Sequence, residues 1–376
     1  MKANPLRRLG ELGQSVWMDF IRRGMIMSGE LSRMIEEDGL RGVTSNPSIF
    51  EKAISESHDY DEAIQSLVRQ GKTVEMIYHG LTVEDIQLTA DLLSSVHEQT
   101  DGRDGFVSLE VSPHLAHDSA GTITEARRLW LAVNRPNVMI KVPGTPEGLP
   151  AIRQLIGEGI NVNVTLLFGL PRYRQVADAY LTGLETLMAG GEPLQHVTSV
   201  ASFFLSRIDV LVDPMLEKLM QSGGPHTGLA ASLRGEAAIA SAKVAWEIYQ
   251  EIFSSERFRL LAARGARTQR LLWASTGTKN PAYSDVKYVE PLIGPETINT
   301  MPLETLQAYR DHGNPVTRLA EGLDNAYRVL QSHAELGISL DEATRQLEDE
   351  GVDKFIKPYD QLIRKLEAKR AALLAP

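Results

Sequence analysis

Lys141 stands near the end of an otherwise apolar run, NVMIKV, where loss of water penalises an ammonium. Two outcomes relieve that penalty. In the plainer one the side chain snorkels out at the strand end or pairs with a carboxylate, as charges in such places usually do. In the other, burial favours the neutral amine, a nucleophile able to attack a carbonyl and form a Schiff base. Asp19 in VWMDF and Glu110 in VSLEV occupy the same kind of place, near the C-terminal ends of two further apolar runs. Taken singly, each reads equally as an N-cap or an ion pair. Beside an amine, a pair of carboxylates supplies what carbon-carbon cleavage needs: one moves a hydroxyl proton, the other works with water in forming the imine.

Neutral polar residues fall at similar positions. Asn163 and Thr165, in INVNVTLLF, are two apart and face one side of a strand, so they line a polar pocket or each makes a satisfied hydrogen bond in the core. Asn46, in VTSNPS, reads either as a pocket residue or as turn chemistry with Pro47. Ser202 and Arg207 belong to SVASFFLSRID, and Ser275 and Lys279 to WASTGTKN. Loops after the later strands of an α/β barrel, together with a helix N-terminus, make a phosphate site; the alternative is solvated surface cations. TGTKN lacks the spacing of a Walker A loop, which argues against nucleotide hydrolysis. His114 and His117 in PHLAH read as surface residues, and the WEIYQEIF stripe around Trp246 as packing.

The elements that must position these groups are short apolar runs alternating with amphipathic stretches, the pattern of a parallel sheet with crossover helices. Eight runs are expected as strands: 14–20, 40–45, 105–111, 137–142, 160–167, 197–202, 270–276 and 296–300. Eight such units imply a closed α/β barrel. The segment from Thr82, TVEDIQLTADLLSSVHEQ, has helical spacing, and Ser28 is a candidate N-cap before ELSRMIEED. The chain is expected to be one domain over 1–376, with a helical insertion around 50–100 and a helical extension from about 302. SGGPHTG at 222–228 and the Pro-punctuated stretch from Asn280 read as loops within that domain.

Hydrophobic residues make up 43% and charged residues 23%, enough to bury a large core. The net charge of -10 argues against nucleic acid and anionic membrane as partners, and an anionic substrate would need local cations. No run approaches the roughly 20 apolar residues that span a bilayer, and MKANPLRRLGEL lacks the apolar core of an export signal. The absence of Cys removes thiolate metal sites and cysteine nucleophiles. A cytoplasmic location is expected.

Taken in chain order, VWMDF, GVTSNPSIFEKAI, VSLEV, NVMIKVPGT, INVNVTLLF, SVASFFLSRID and WASTGTKN resemble the transaldolase family, and its longer subgroup in particular. The resemblance implies a (β/α)8 TIM barrel of the class I aldolase type with extra helices, sugar phosphates as substrates, and neither metal nor cofactor. It implies reversible transfer of a dihydroxyacetone unit from sedoheptulose 7-phosphate to glyceraldehyde 3-phosphate in the pentose phosphate pathway. Lys141 matches the Schiff-base lysine, Asp19 the acid/base for the C4 hydroxyl, and Glu110 the carboxylate acting through water. Thr165 matches the residue that positions that water. Asn46, Asn163 and Ser202 match groups that hold the dihydroxyacetone hydroxyls; Arg207 and Ser275 match phosphate contacts. Lys279 departs from the pattern, since shorter members carry Arg near this point, and Lys offers a point charge in place of a bidentate fork. Two other readings stand beside transfer: a Schiff-base aldolase that releases free dihydroxyacetone from fructose 6-phosphate, and a silent sugar-phosphate-binding barrel.

Overall fold

A computed structural model describes residues 4–375; the first three residues of the basic N-terminal segment, and the last residue, lie outside it. All eight apolar runs form strands: β1 (Gln14–Met18), β2 (Gly42–Thr44), β3 (Phe106–Glu110), β4 (Val138–Pro143), β5 (Val162–Leu167), β6 (Ser199–Phe204), β7 (Arg270–Ala274) and β8 (Thr297–Met301). They close into one barrel in chain order, and β1 pairs with β8 in parallel as the other neighbours do. Every residue of every strand is buried, because helices cover the outside and side chains fill the inside.

Helix α1 (Pro5–Glu11) precedes the barrel, and α2 (Arg23–Met27), α3 (Glu30–Arg33) and a π turn over Met34–Asp38 follow β1. The start of α3 corrects one expectation. Gly29, in the left-handed region at φ 76°, is its N-cap, while Ser28 ends α2. Between β2 and β3 lie α4 (Pro47–Ser55), α5 (Asp61–Arg69) and α6 (Val74–Gln99). Helix α6 packs on β3 and on α7 (Ser119–Val133), so it is the crossover that two parallel strands require. Of these three, α4 and α5 are the ones additional to the barrel plan. Helix α8 (Gly148–Gly157) follows β4, and α9 (Leu170–Ala189) follows β5. After β6 come α10 (Ser206–Gln221), α11 (Thr227–Leu233), α12 (Ala237–Phe253) and α13 (Glu256–Ala262). A long loop joins β7 to β8, and α14 (Leu303–His312), α15 (Leu323–Glu335) and α16 (Leu340–Leu374) complete the chain.

The barrel interior is layered. At its floor the Arg270 guanidinium donates to Asp104 Oδ1 at 3.0 Å and to Ser15 Oγ at 3.0 Å, and Trp17 Nε1 donates to the same carboxylate at 3.1 Å. Above this polar plug the Trp17 ring fills the barrel. Gly42 on β2 makes room for it, since a Cβ there would lie 2.4 Å from the indole. The plug and the Trp17 ring thus fill the interior at this end, and the chemistry-bearing residues lie toward the opposite end, where the strands terminate.

Helix α16 gives the charged C-terminal stretch a physical role. It packs against β5, α10, α4, α5 and α6, and so runs past the strand ends to the added helices. Its basic residues meet that addition: Lys365 bonds Glu51 at 2.7 Å, Lys369 bonds Asp61 at 2.9 Å, and Arg370 donates to the Lys72 carbonyl at 3.0 Å. These exposed or half-exposed pairs contribute little singly, about 0.2–1 kcal/mol each. The apolar face, with Leu347, Val352, Phe355, Leu362 and Leu366 buried, holds the helix down.

The plug at the floor yields a stability prediction. Truncation in Asp104→Ala leaves Arg270 buried without its counter-charge, and urea unfolding is expected to show a loss of about 3–5 kcal/mol. A loss below about 1 kcal/mol would mean that water reaches the guanidinium.

Candidate active site

Register brings the chemistry together. Glu110 on β3, Lys141 on β4 and Asn163 on β5 are consecutive partners across the sheet, so all three side chains enter the same layer. Lys141 Nζ lies 3.3 Å from Glu110 Oε2 and donates to the Ser45 carbonyl at 3.0 Å. Both side chains are about 5% exposed or less, so the pair is shielded from bulk water. The contact is ionic, and its angle leaves Glu110 Oε2 without a hydrogen bond. Burial pushes the Glu110 carboxyl above its ordinary value, and the nearby Asp19 charge adds to this; Lys141 and then Arg207 oppose it.

Asn163 is clamped from both sides, donating to Ser108 Oγ at 3.0 Å and accepting from Ser202 Oγ at 2.7 Å. Thr165, two residues on, is fully buried with its hydroxyl unpartnered. The strand is bulged around it: register shifts between Val164 and Leu167, and Leu166 takes φ 58°, a left-handed conformation rare for such a side chain. Gly351 of α16 lies against Leu166, so that a Cβ there would come 3.0 Å from Leu166 Cδ2. The C-terminal helix thus braces the backbone that aims Thr165.

Asp19 follows β1 and is held by the Met301 carbonyl, which accepts its backbone N–H at 2.8 Å. Its Oδ1 accepts from Thr44 Oγ1 at 2.8 Å, and Thr44 Oγ1 is 3.0 Å from Thr300 Oγ1. With the Thr44 hydroxyl donating to Asp19, Thr300 donates to Thr44, and a two-hydroxyl chain fixes the carboxylate. Asn46 Oδ1 has the turn role, accepting from Ile49 N–H at 3.0 Å as the N-cap of α4 with Pro47 next in the first turn, while its Nδ2 takes no part in the cap.

Arg207 is the second residue of α10. Its guanidinium carbon sits 5.3 Å above the Phe204 ring and 5.8 Å from that of Phe355 on α16, and its Nη1 is buried without a partner. Burial lowers its affinity for a proton, against the charges of Asp19, Glu110 and Glu350. Ser206 ties this helix start to the next loop by donating to the Ser275 carbonyl at 2.7 Å. Ser275 itself has φ 55°. Lys279 stands exposed on the same loop and enters none of these bonds. Three atoms of the cluster, Glu110 Oε2, Thr165 Oγ1 and Arg207 Nη1, are therefore buried polar groups with no hydrogen bond among the described residues. Such atoms occur singly elsewhere in the chain, at Tyr173 and Trp246 for example, but here three gather around one amine and leave polar capacity for another molecule.

His114 and His117 lie apart from the cluster, paired with Asp360 at 2.7 Å and Glu147 at 3.1 Å at the surface. A cavity of about 920 Å³ lies between α5, α6, α7 and α16, but none of the residues just described lines it. Chemistry and not volume locates the site. Sequence reasoning passed over Thr44, Thr300, Ser108 and the Ser45 carbonyl. The period of two was a usable signal for Ser108, two before Glu110, and for Thr44, two before Asn46.

The family model described as transaldolase/fructose-6-phosphate aldolase matches residues 16–366. The chain belongs to the transaldolase/fructose-6-phosphate aldolase family. It is 47% identical over 373 residues to a transaldolase of Trichodesmium erythraeum, an alignment covering 98% of each chain. Against a transaldolase of Thiobacillus denitrificans it is 49% identical over 363 residues, 96% of this chain and 99% of the relative. A transaldolase of Thermobifida fusca matches at 47% over 370 residues, 98% of this chain and 99% of the relative. The family match begins within β1, takes in the other seven strands whole and covers most of α16.

Because burial is the largest influence on Glu110, its carboxyl is expected to titrate above the ordinary 4.5. With the folded value raised, the protonated form favours the fold; that contribution is full at pH below the unfolded value and is lost as pH rises through the folded one. Carboxyl-labelled glutamate NMR, with Glu110→Gln to assign the signal, reads the titration. Lys141→Met removes the main opposing charge and is expected to move it higher still. A signal at or below 4.5 in the parent protein, or a downward move in the variant, would contradict this account of the pair.

Proposed function

We propose that this chain is a transaldolase: it carries a dihydroxyacetone unit from a ketose phosphate to an aldose phosphate through a Schiff base on Lys141. The observation that carries the reading is the shielded amine of Lys141, paired in register with Glu110 and followed two residues farther along the ladder by Thr165, whose buried hydroxyl makes no hydrogen bond. Sedoheptulose 7-phosphate and glyceraldehyde 3-phosphate are the pair that the family likeness favours, giving erythrose 4-phosphate and fructose 6-phosphate in the pentose phosphate pathway. A cytoplasmic setting belongs to the same proposal; among the described residues no helix is long and apolar enough to cross a membrane.

Glu110 is the nearest base for the ammonium proton, and its raised proton affinity makes it a receptive one. The freed amine attacks the ketose carbonyl carbon, and loss of water from the adduct leaves an iminium. Asp19, held by Thr44, takes the C4 hydroxyl proton; the C3–C4 bond breaks, its electron pair enters the iminium, and an aldose phosphate departs. The resulting enamine attacks the acceptor aldehyde, and Asp19 returns the proton to the new hydroxyl. Thr165 and Glu110 hold the water that forms and later cleaves the imine. Asn46, Asn163 and Ser202 hold the hydroxyls of the three-carbon unit, while Arg207, Ser275 and Lys279 take the phosphate.

The family description embraces an aldolase activity as well, so release of the three-carbon unit is the second reading. Borohydride reduction after incubation with fructose 6-phosphate is expected to leave a reduced three-carbon adduct on Lys141, located by peptide mass, with no such adduct in Lys141→Ala. Full turnover by Lys141→Ala would sink the Schiff-base assignment. Steady formation of free dihydroxyacetone without an acceptor aldehyde, at the rate seen with one, would replace transfer by release.

A further inference from the structure

The phosphate end of the proposed site is split between two segments. Arg207 belongs to the first turn of α10, whereas Ser275 and Lys279 belong to the loop between β7 and β8. Something must set the spacing of these segments, because a phosphate is recognised by converging donors at fixed distances. Near the barrel the link is direct, through Ser206 to the Ser275 carbonyl and from Leu205 N–H to the Ala274 carbonyl at 3.1 Å. Farther out, toward Lys279, the two segments are joined by a pair of carboxylates on α10 that the reaction does not use.

Asp209 and Asp213 are one helical turn apart and both buried. Asp209 Oδ2 accepts from the Tyr288 hydroxyl at 2.8 Å and Asp213 Oδ2 from the Tyr283 hydroxyl at 2.7 Å, and both tyrosines lie in the β7–β8 loop. The remaining oxygens accept backbone N–H groups from the start of α12 and the turn before it, Ala238 at 2.9 Å and Gly235 at 2.8 Å. Gly235, at φ 71°, is required here: a Cβ would meet the Tyr283 ring tip at 2.8 Å. Lys287 Nζ caps the arrangement, 4.7 Å from the Tyr283 ring centre and 5.8 Å from that of Tyr288. Within the loop, Thr278 donates to the Ser284 carbonyl at 2.7 Å, which fastens the neighbour of Lys279 to the neighbour of Tyr283.

We propose that Tyr283 and Tyr288 are positioning residues for phosphate recognition: clamped to Asp213 and Asp209, they set the spacing between Arg207 and the loop carrying Ser275 and Lys279. The inference rests on the reading that those three residues receive the substrate phosphate. The bonds are suited to the task. Each is short, each ends on a carboxylate whose other oxygen is already occupied, and charged acceptors make such bonds about twice as strong as neutral ones. Removing a tyrosine hydroxyl leaves a buried carboxylate oxygen unsatisfied, so the loop shifts until water or another donor reaches it.

Tyr283→Phe and Tyr288→Phe, singly and together, are to be assayed with fructose 6-phosphate and erythrose 4-phosphate analogue pairs in the full chain, alongside inhibition by inorganic phosphate. The expected result is a KM for fructose 6-phosphate and a Ki for inorganic phosphate both raised on the order of tenfold, with kcat within about twofold and the Lys141 borohydride adduct still formed. Unchanged KM and Ki in the double variant would overturn the proposal, as would an equal fall in kcat and adduct yield, which marks a general loss of structure. Tyr283 is only half buried, so its variant keeps the test alive should the Tyr288 change prevent folding. Arg207→Ala separates the two layers: a Ki for inorganic phosphate unmoved in that variant would remove the phosphate site itself, and with it the need for a clamp.

Discussion

A cation cannot sit among apolar strands unless something answers its charge, and the pairing of Lys141 with Glu110 answers it within the sheet itself. The ladder between β3 and β4 places the two residues side by side, so the ion pair needs no loop to assemble it. Everything at the mouth is arranged around that pair. Asn163 extends the same layer onto β5, the Ser45 carbonyl accepts a hydrogen bond from the ammonium, and Asp19 and Arg207 act on Glu110 through their charges. Buried ion pairs are a poor way to stabilise a fold, because desolvation offsets most of the attraction. Their retention where the strands terminate, at the end of the barrel away from the plug, fits a site in which the charge is used.

Rigidity around the pair is supplied by neutral groups. Ser108, Asn163 and Ser202 form a continuous hydrogen-bonded row across three strands, and Thr300, Thr44 and Asp19 form a second. Each row ends on a group with chemical work to do, and each depends on residues whose rotamers are held by strand packing. Against this order stand two left-handed residues, Leu166 and Ser275, both at strand ends beside the cluster. Strain of this kind persists only where the surroundings impose it, and here those surroundings are α16 and the start of α10.

Much of the barrel was readable because burial on both faces turns each strand into a continuous apolar run, and all eight runs became strands. Lys141, Asp19 and Glu110 stood out for the same reason, as charges where an apolar run should end. Boundaries were less legible. Residues 50–100 mixed the crossover α6 with the added α4 and α5, since helical spacing alone does not say which helix a strand will pack on. Ser28 looked like a cap, but the turn needed a positive φ, which Gly29 takes more readily. Least visible were contacts between distant segments. Asp209 to Tyr288 and Phe355 to Arg207 join residues separated by whole elements, and no local pattern announces them.

The placement of α16 also has a bearing on time. Every strand precedes it in the chain, so during synthesis the barrel can close before Phe355 exists to cover Arg207 or Gly351 to brace Leu166. The order of translation separates building the scaffold from finishing the mouth. A nascent chain that already holds Lys141 beside Glu110 still lacks the helix that shields Arg207 and supports the bulge aiming Thr165. The groups that cover Arg207 and brace the bulge thus come last in the chain, after every strand that carries the site.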